Sequence, residues 1–336
     1  MQKLENQSFE PDQQKGGNIQ PSRLAFAVIT PARNEELYIE KTIQSMISQT
    51  ALPRVWVIVS DGSTDRTDDI VKGYLSDHPW MEFIRLPERS ERNFASKVFV
   101  FNAGYERVKN LHCDIIGNLD ADLSFETDYF EYLLDQFARC PDLGVAGTPF
   151  IEDDTTSYDY RFANIEHVAG GCQLFRRQCF EAIGGYMPIK GGGIDWVAVT
   201  TARMKGWRTQ TFTDRILFHH RKMGTGKGNV FSAKFRLGRE DYYLGSDPLW
   251  AVLRAFYQMQ YKPYVLGGLF LLLGYASSAA KRVQRPVPAE LIAYHRKEQR
   301  QRLRRMLSKV TGSGQAATMR GDRRDRRGGK EQTRGG

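Results

Sequence analysis

The feature that most constrains this chain is the alternation of short, apolar, β-rich runs with helical stretches. Residues 25–29 and 55–59 are apolar throughout, as expected of parallel strands that helices cover on both faces. The pattern predicts an α/β fold with a Rossmann-like, mostly parallel sheet flanked by helices. The predicted strands span residues 24–30, 54–60, 81–86 and 113–118. A helix is predicted after Asn34, because Glu35 and Glu36 favour a helix N-terminus.

Composition divides the chain into four segments. Residues 1–22 are polar and rich in Gln and Asn, which predicts a disordered leader. Residues 23–230 hold the α/β pattern, and their glycines cluster after about residue 150, where loops are expected to build a pocket. Residues 231–310 have helical patterns, and residues 311–336 form a Gly/Arg-rich tail that is expected to be disordered.

The formal charge of +9 is unevenly distributed along the chain. Residues 296–336 contain 14 Lys/Arg and 4 Asp/Glu, so this part is +10 and residues 1–295 sum to −1. The folded part therefore lacks the basic footprint of a nucleic-acid-binding protein, and no nucleic-acid partner is expected. The four cysteines show neither metal-type nor redox-type spacing, and the N-terminus does not resemble a secretory signal. A reducing cytosol is the expected compartment.

Polar residues follow three of the predicted strands, at residues 30–36, 60–65 and 118–123. In open α/β sheets ligands bind beyond the carboxyl ends of the strands, although turns and helix caps use the same residue types. The third segment is the most informative, since Asp120 and Asp122 place two carboxylates one residue apart. Such a pair repels itself unless a cation or donor groups are nearby. A divalent cation, Mg²⁺ or Mn²⁺, fits because it takes oxygen ligands and leaves positions open for diphosphate oxygens.

In combination, these motifs resemble the family 2 glycosyltransferases with the A-type nucleotide-sugar-binding (GT-A) fold. The resemblance spans about residues 24–222 and rests on an ordered set of motifs: Pro31-Ala-Arg-Asn-Glu35, Asp61-Gly-Ser-Thr-Asp65, Asp120-Ala-Asp122, Gly184-Gly-Tyr186 and Asp195. It implies a glycosyltransferase catalytic domain over residues 23–230. It also implies a nucleotide-diphosphate sugar as donor and a saccharide or lipid-linked acceptor, as in relatives that build bacterial surface polysaccharides.

The resemblance also assigns roles to individual residues. It implies that Asp120 lies near the ribose, that Asp122 binds the metal, and that residues 93–97, with Lys97 pointing inward, border the diphosphate. One of two adjacent histidines, His219 or His220, is expected to complete the metal site, and His219 is chosen. A nucleoside pocket is expected to be lined by Pro31, Arg33, Glu35 and Asp61. The wall on the sugar and acceptor side is expected to contain Gly170 and Gly171. Three of these roles have a structural alternative. Lys97 could be a solvated helix residue, the histidine could be structural, and the two glycines could simply form a turn.

Asp195 resembles the aspartate of the family's Glu-Asp motif, which implies that it is the catalytic base. The sequence departs from the family pattern at Ile194, where the family has Glu, and at Thr201, where it commonly has Arg. Asp195 could instead be the N-cap of a helix that runs to Lys205. One base without a protein nucleophile implies a single displacement, and hence inversion at the anomeric carbon.

Residues 264–280 form an uncharged, mostly apolar segment of 17 positions. A helix of that length reaches about 25 Å, which is shorter than a hydrocarbon core of about 30 Å. A re-entrant or interfacial segment is therefore preferred, with a buried core helix and a true span as alternatives. A basic amphipathic helix over residues 288–310 suits an anionic membrane surface or, alternatively, packs on the catalytic domain. The expected location is the cytoplasmic side of the cell membrane.

Other functions fit the sequence less well. A nucleotidyltransferase would need a Gly-rich triphosphate loop after the first strand, and a dehydrogenase would need Gly-x-Gly-x-x-Gly there. The segment that begins at Pro31 provides neither. A membrane-tethered or nucleic-acid-binding scaffold with a degenerate transferase domain remains the alternative. The sequence does not identify the base or the sugar of the donor.

Overall fold

The computed structural model describes residues 24–88, 94–152, 155–156, 165–221 and 229–310. The predicted leader at residues 1–22, the predicted tail at residues 311–336 and residue 93 lie outside this described part. Eleven strands and ten helices are present in it. The strands are β1 (Phe26–Ala32), β2 (Val55–Asp61), β3 (Met81–Leu86), β4 (Ile115–Leu119), β5 (Leu123–Phe125), β6 (Leu143–Gly147), β7 (Phe150–Glu152), β8 (Thr155–Thr156), β9 (Cys172–Arg176), β10 (Arg208–Thr211) and β11 (Leu217–His219). The helices are α1 (Ile39–Ile47), α2 (Thr67–Leu75), α3 (Phe94–Val108), α4 (Tyr129–Arg139), α5 (Arg177–Ile183), α6 (Ile194–Met204), α7 (Val230–Tyr243), α8 (Pro248–Gln258), α9 (Val265–Ala280) and α10 (Ala289–Val310).

A seven-stranded sheet with the order β10-β6-β9-β4-β1-β2-β3 forms the centre of the molecule. The pairs β1–β2, β1–β4, β2–β3 and β6–β10 are parallel, whereas β9 runs antiparallel to both of its neighbours. Strands β1 and β2 are buried along nearly their whole length, as their apolar sequences predict. Helices cover both faces of the sheet, so the prediction of a mostly parallel sheet flanked by helices is confirmed.

The two faces of the sheet support separate hydrophobic clusters. Val28, Trp56 and Ile58 point to the cluster that includes the buried side chains of α1 and α4. The alternate residues Ile29 and Val57 point to the cluster that includes side chains of α3, α5 and α6. This alternation follows from the two-residue period of a strand. Because helices cover both faces of the sheet and exclude water, the polar side chains of the central strands lie at the strand ends. The candidate site is located there.

Helix α1 begins at Ile39, later than the predicted start at Glu35. The Glu35 N–H donates to Thr67 Oγ1 at 2.7 Å, and the Glu36 N–H donates to Asp65 Oδ2 at 3.1 Å. These bonds hold the turn after β1 against the turn after β2. They also give partners to two backbone N–H groups that would have none within the helix if it began at Glu35. The four predicted strands match β1 to β4 within two residues at either end.

A small sheet with the order β5-β11-β7-β8 lies beside the main sheet. Strand β11 runs antiparallel to β5, with His219 opposite Leu123, and parallel to β7. The apolar run at residues 216–218 is strand-like in sequence and corresponds to β11, but the sheet and its other strands were not predicted, since these strands are only two or three residues long. This small sheet positions part of the candidate site, because it brings the residues after Phe218 next to the carboxylates that follow β4.

Helices α7 to α10 follow the α/β part of the chain. Helix α9 crosses α7 closely, because Gly238 and Gly274 bring the backbones into contact: a Cβ atom at Gly238 would overlap the Leu271 carbonyl oxygen. The opposite face of α9 exposes Leu266, Leu269 and Leu273. Among the helices of the described residues, none combines the length and the apolar character that crossing a bilayer requires.

Candidate active site

The carboxyl ends of β1 and β2 bring together the residues predicted for a nucleoside pocket. Pro31 is opposite Val59 in the parallel register, so the turns that follow the two strands meet at one edge of the sheet. Arg33 Nη1 lies 3.3 Å from Asp61 Oδ2, and both side chains are largely buried. A guanidinium held by a buried carboxylate has a fixed orientation and can present its planar face or its donors to a nucleotide.

Lys97 extends from α3 to the end of β4, where its Nζ lies 2.5 Å from Asp120 Oδ1. Burial lowers the pKa of Lys97, but the Asp120 carboxylate outweighs burial and raises it, so the ammonium group is charged at neutral pH. Asn118 Nδ2 donates to the Gly170 carbonyl at 2.9 Å, which joins the end of β4 to the loop before β9. Lys97 is thus an ion-paired wall residue of the site rather than a solvated helix residue.

His219 and Asp122 lie next to each other because β11 pairs with β5. His219 Nε2 is 3.4 Å from Asp122 Oδ2, and His219 Nδ1 is 2.9 Å from Glu152 Oε1. Burial lowers the pKa of His219, but the two carboxylates outweigh it and raise the pKa to about 9. The neighbouring His220 instead places its Nε2 2.9 Å from Ser124 Oγ. The geometry therefore brings His219, and not His220, to the carboxylate predicted to bind a metal.

Asp122 and His219 are the predicted ligands of a divalent cation. Across the residues that the structure describes, no group of three or more His, Cys, Asp or Glu side chains has the geometry of a complete metal site. The Asp122 carboxylate matches the oxygen-ligand preference of Mg²⁺ and Mn²⁺, whereas the His219 imidazole would have to lose the proton that Asp122 and Glu152 stabilise before it could bind a metal. A cation held by these two residues would leave most coordination positions open for diphosphate oxygens.

Arg221 is a site residue that the sequence analysis missed. Its guanidinium forms an ion pair with Glu35, its Nε lies 3.4 Å from Asp122 Oδ2, and it stacks over the Tyr38 ring at 5.7 Å. Its Nε is buried and has no hydrogen-bond partner within the described residues. Burial and the charge of Asp122 raise the pKa of Glu35 to about 7 despite this arginine. The only sequence signal was the position of Arg221 two residues after His219.

A cavity of about 230 Å³ extends from Lys97, Asp120 and His219 to the predicted catalytic base, Asp195, whereas the predicted metal ligand Asp122 does not line it. Six of the predicted site residues line it, namely Lys97, Asp120, Gly170, Gly171, Asp195 and His219. Tyr186 and Gln173 also line it, joined by a 2.7 Å hydrogen bond from the Tyr186 hydroxyl to Gln173 Oε1. The sequence analysis identified Tyr186 only as part of a motif, and Gln173 only as part of the segment 170–176 that is expected to border the sugar and the acceptor. Pro31, Arg33, Glu35 and Asp61 lie outside this cavity, at the nearby ends of β1 and β2.

Asp195 lies in the first turn of α6 and is not its N-cap. Gly193 occupies the cap position in a left-handed conformation with φ of 76°, and no side chain caps this helix end. The alternative interpretation of Asp195 as an N-cap is therefore wrong. Its carboxylate accepts no hydrogen bond from the described residues, so it is free to accept a proton. A Cβ atom on Gly170 would lie 3.0 Å from the Asp195 Cβ, so glycine is needed for this close approach.

Comparison with other sequences gives one family. Residues 27–184 match the family model described as Glycosyl transferase family 2. The chain is 32% identical over 120 residues to the chondroitin synthase of Escherichia coli, a match that covers 36% of this chain and 16% of that protein. It is 27% identical over 124 residues to the poly-beta-1,6-N-acetyl-D-glucosamine synthase of Staphylococcus epidermidis, covering 37% and 28% of the two chains. The chain thus spans only a minor part of these relatives.

Comparison with solved structures gives the same fold. The mannosyltransferase PcManGT from Pyrobaculum calidifontis, in complex with GDP-Man and Mn²⁺, superposes with a TM-score of 0.56 at 20% identity, covering 80% of this chain and 92% of that chain. S. aureus TarS 1–349 in complex with UDP-GlcNAc superposes with a TM-score of 0.56 at 14% identity, covering 86% and 92%. The fold is therefore GT-A-like. Residues 27–184 are thus similar in sequence to glycosyl transferase family 2.

Proposed function

We propose that this protein is a metal-dependent, inverting glycosyltransferase that moves a sugar from a nucleotide diphosphate to an acceptor hydroxyl. The observation that carries the proposal is the composition of one cavity. It is lined by the Lys97–Asp120 pair, beside the ends of β1 and β4, and by Asp195, whose carboxylate accepts no hydrogen bond from the described residues. A transferase needs both a place for the donor and a base for the acceptor within reach of one reacting carbon.

The donor is a nucleotide sugar in this proposal. Two proteins of similar fold have been solved in complex with GDP-Man and with UDP-GlcNAc, which supports this donor class. Pro31, Arg33 and Asp61 would contact the nucleoside, because they gather at the strand ends where an open α/β sheet takes its ligand. Asp120 would lie near the ribose, and Lys97 would extend toward the diphosphate. Gly170 and Gly171 would let the backbone approach the sugar closely.

Positive charge is needed where the diphosphate leaves. Asp122 and His219 would hold a divalent cation, Mg²⁺ or Mn²⁺, which when bound supplies charge that stabilises the leaving group. Lys97 and Arg221 contribute fixed charges of the chain itself, and both are held by carboxylates, at Asp120 and Glu35. Because these charges are oriented before reaction, they need not reorganise as the glycosidic bond breaks.

Asp195 performs the proton transfer. Its carboxylate takes the proton of the acceptor hydroxyl, the hydroxyl oxygen forms a bond to the anomeric carbon, and the bond from that carbon to the diphosphate oxygen breaks. The nucleoside diphosphate leaves with the electron pair of that bond. One displacement from the face opposite the leaving group inverts the configuration at the anomeric carbon.

The acceptor is a saccharide, carried on a lipid and used in surface polysaccharide synthesis. The names of the polysaccharide synthases among the relatives support this role. Location at the cytoplasmic side of the membrane is supported by the apolar surface of α8 and α9, which is flanked by Lys262, Lys281 and Arg282. The charge of −1 over residues 1–295 argues against a nucleic-acid partner.

A donor-binding screen tests the proposal. UDP, GDP, CDP and TDP sugars are titrated by calorimetry into the wild type and into Asp122→Ala, with and without Mn²⁺. We expect one donor to bind with metal, and its affinity to fall at least tenfold either on chelation or in the variant, since each loses a charged contact worth about 1.5–3 kcal/mol.

Asp142→Ala is the matched control. Asp142 is also a carboxylate in the α/β part, but it is exposed on the turn before β6. It should bind the donor like the wild type. A folded protein that binds every sugar nucleotide equally well with chelator contradicts the metal-dependent proposal.

A further inference from the structure

A second cavity, of about 280 Å³, lies on the other side of the residues that begin α6. It shares Gly193 and Asp195 with the cavity described above, and its other walls come from α6, α7, α8 and α10, the turn between α7 and α8, and His167. Its volume is near the lower end of ordinary ligand sites, so it suits a small unit such as one sugar ring. Asp195 thus stands between a cavity built mainly by the α/β part and one built mainly by the C-terminal helices.

Aromatic rings and neutral imidazoles form part of this second cavity. Trp196 and Trp250 line it together with His167 and His295. His295 is only 9% exposed, and its ring packs edge-on against Trp196 with centroids 4.4 Å apart. Burial lowers the pKa of His167 to about 4 and that of His295 to about 3, so both rings are neutral at pH 7. A neutral imidazole offers one donor and one acceptor, which suits a hydroxyl group.

The ring nitrogens of His295 can still form hydrogen bonds with a ligand. Neither of its ring nitrogens bonds to another described residue, although the side chain is more than nine-tenths buried. The Asp241 Oδ2 oxygen is likewise buried and has no hydrogen-bond partner in the described part of the chain. Buried polar atoms are normally satisfied, so two unsatisfied groups around one cavity indicate a polar ligand.

The charges of the cavity exclude an anionic ligand. Its three arginines are each paired with a carboxylate, and the pairs are Arg203–Glu298, Arg254–Asp241 and Arg302–Glu166. The first pair is bidentate, with bonds of 2.8 and 3.1 Å. Two further carboxyl groups, of Asp195 and Glu240, also line the space. Burial and the nearby charge of Asp195 raise the pKa of Glu240 to about 7. A phosphate or carboxylate would therefore meet no unpaired arginine and would be repelled by Asp195.

We propose that the second cavity binds the acceptor, and that the bound part of the acceptor is a neutral saccharide unit whose hydroxyl reaches Asp195. This inference rests on the proposed transferase function. Trp196 offers an apolar face to the sugar ring, while the ring nitrogens of His295 bond to its hydroxyl groups. The lipid carrier, with its charged diphosphate, then extends outside the cavity. The acceptor and the donor sugar approach Asp195 from different sides, as transfer between them requires.

Saturation-transfer NMR tests the inference with simple glycosides and the full chain, without donor. The probes are the methyl β-glycosides of glucose and N-acetylglucosamine, which are neutral, and of glucuronic acid, which is anionic. We expect a neutral glycoside to bind and the glucuronide not to bind. Trp196→Ala and His295→Leu should each weaken that binding roughly tenfold, as loss of a stacking or hydrogen-bonding contact does.

Trp80→Ala is the matched control, because Trp80 is also half-buried but precedes β3 at the far edge of the sheet. It should bind glycosides like the wild type. Donor affinity, measured separately by calorimetry, should be unchanged in Trp196→Ala and His295→Leu. Equal glycoside binding in these two variants and the wild type, or preference for the glucuronide, overturns the inference. Absence of donor binding in the wild type contradicts the proposed function instead, so the two failures are distinguishable.

Discussion

At the scale of single residues, the proposed function depends on the position of Asp195 in the first turn of α6. Its carboxylate belongs to the walls of both cavities and packs against the backbone of Gly170. The departure at Ile194 from the Glu of the family pattern removes no group from this contact, because Ile194 packs into the core with only 9% exposure. The chain therefore retains one carboxylate where the proposed mechanism requires a general base.

Asp195→Asn should abolish transfer and leave donor binding intact. Asparagine has nearly the same shape but cannot take a proton, and general bases contribute about 10²–10⁴-fold to rate. We expect kcat to fall within that range, with donor affinity within twofold of the wild type by calorimetry. The thermal midpoint should also stay unchanged, since the Asp195 side chain forms no cap of α6. Near-normal turnover would place the base elsewhere.

A Gly170→Ala substitution tests the close approach to Asp195. The new Cβ atom would lie 3.0 to 3.1 Å from three atoms of the Asp195 side chain, so the carboxylate must shift by some tenths of an ångström. We expect kcat to fall by roughly tenfold or more, because small displacements of a catalytic group are costly. Gly73→Ala is the control, since nothing lies within 4 Å of its Cβ position and Gly73 does not line the cavity. Equal kcat in the two variants would contradict this role.

The sequence predicted the carboxylates of the site better than their partners. Asp120 and Asp122 were recognisable because they follow an apolar strand, and such a local pattern can be read from a few residues. The ion pair of Arg221 with Glu35 joins residues 186 positions apart. No local pattern encodes it, since it depends on how β11 pairs with β5. For the same physical reason the second cavity, which four helices enclose, could not be predicted.

At the scale of elements, long apolar strands were predictable and short ones were not. β1, β2 and β4 were found because five to seven residues buried on both faces give a distinct apolar run, and the edge strand β3 because four of its six residues are apolar. β5, β7, β8 and β11 have two or three residues each, so their pairing depends on tertiary contacts. The antiparallel β9 between β4 and β6 was also missed, because strand direction is not a property of local sequence.

The crossing of α7 and α9 makes a prediction at this scale. Gly238→Ala should destabilise the protein, because the new Cβ atom would overlap the Leu271 carbonyl and force the helices apart. Overpacking of this kind costs about 1–3 kcal/mol, measured as the free energy of unfolding in urea. Gly73→Ala in α2 is the matched control, since nothing lies within 4 Å of its Cβ position. That variant should gain about 0.5–1 kcal/mol, because alanine is the better helix former. Unchanged stability of Gly238→Ala would contradict the close crossing.

At the scale of the whole molecule, the C-terminal helices have two different surfaces. α7, α8 and α10 close the second cavity, whereas α8 and α9 expose an apolar surface. That surface consists of Leu249, Val252, Leu253, Phe256, Val265, Leu266, Leu269 and Leu273. The sequence indicated the apolar character of α9 but not that one of its faces packs on α7 and α8. An exposed apolar surface beside basic residues is typical of a protein that lies on an anionic bilayer.

Binding to lipid vesicles tests this surface. The wild type should cosediment with vesicles of phosphatidylcholine and phosphatidylglycerol more than with phosphatidylcholine alone, and added salt should weaken binding because it screens the basic residues. Phe256→Ser combined with Leu269→Ser should lower the partition coefficient at least tenfold, since each side chain contributes up to about 1.5–3 kcal/mol when buried in lipid. Both residues are exposed, so the fold should be unaffected. Leu52→Ser, at an equally exposed leucine of the α/β part, should bind like the wild type. If the double variant and Leu52→Ser bind equally, the α8–α9 surface does not contact the membrane.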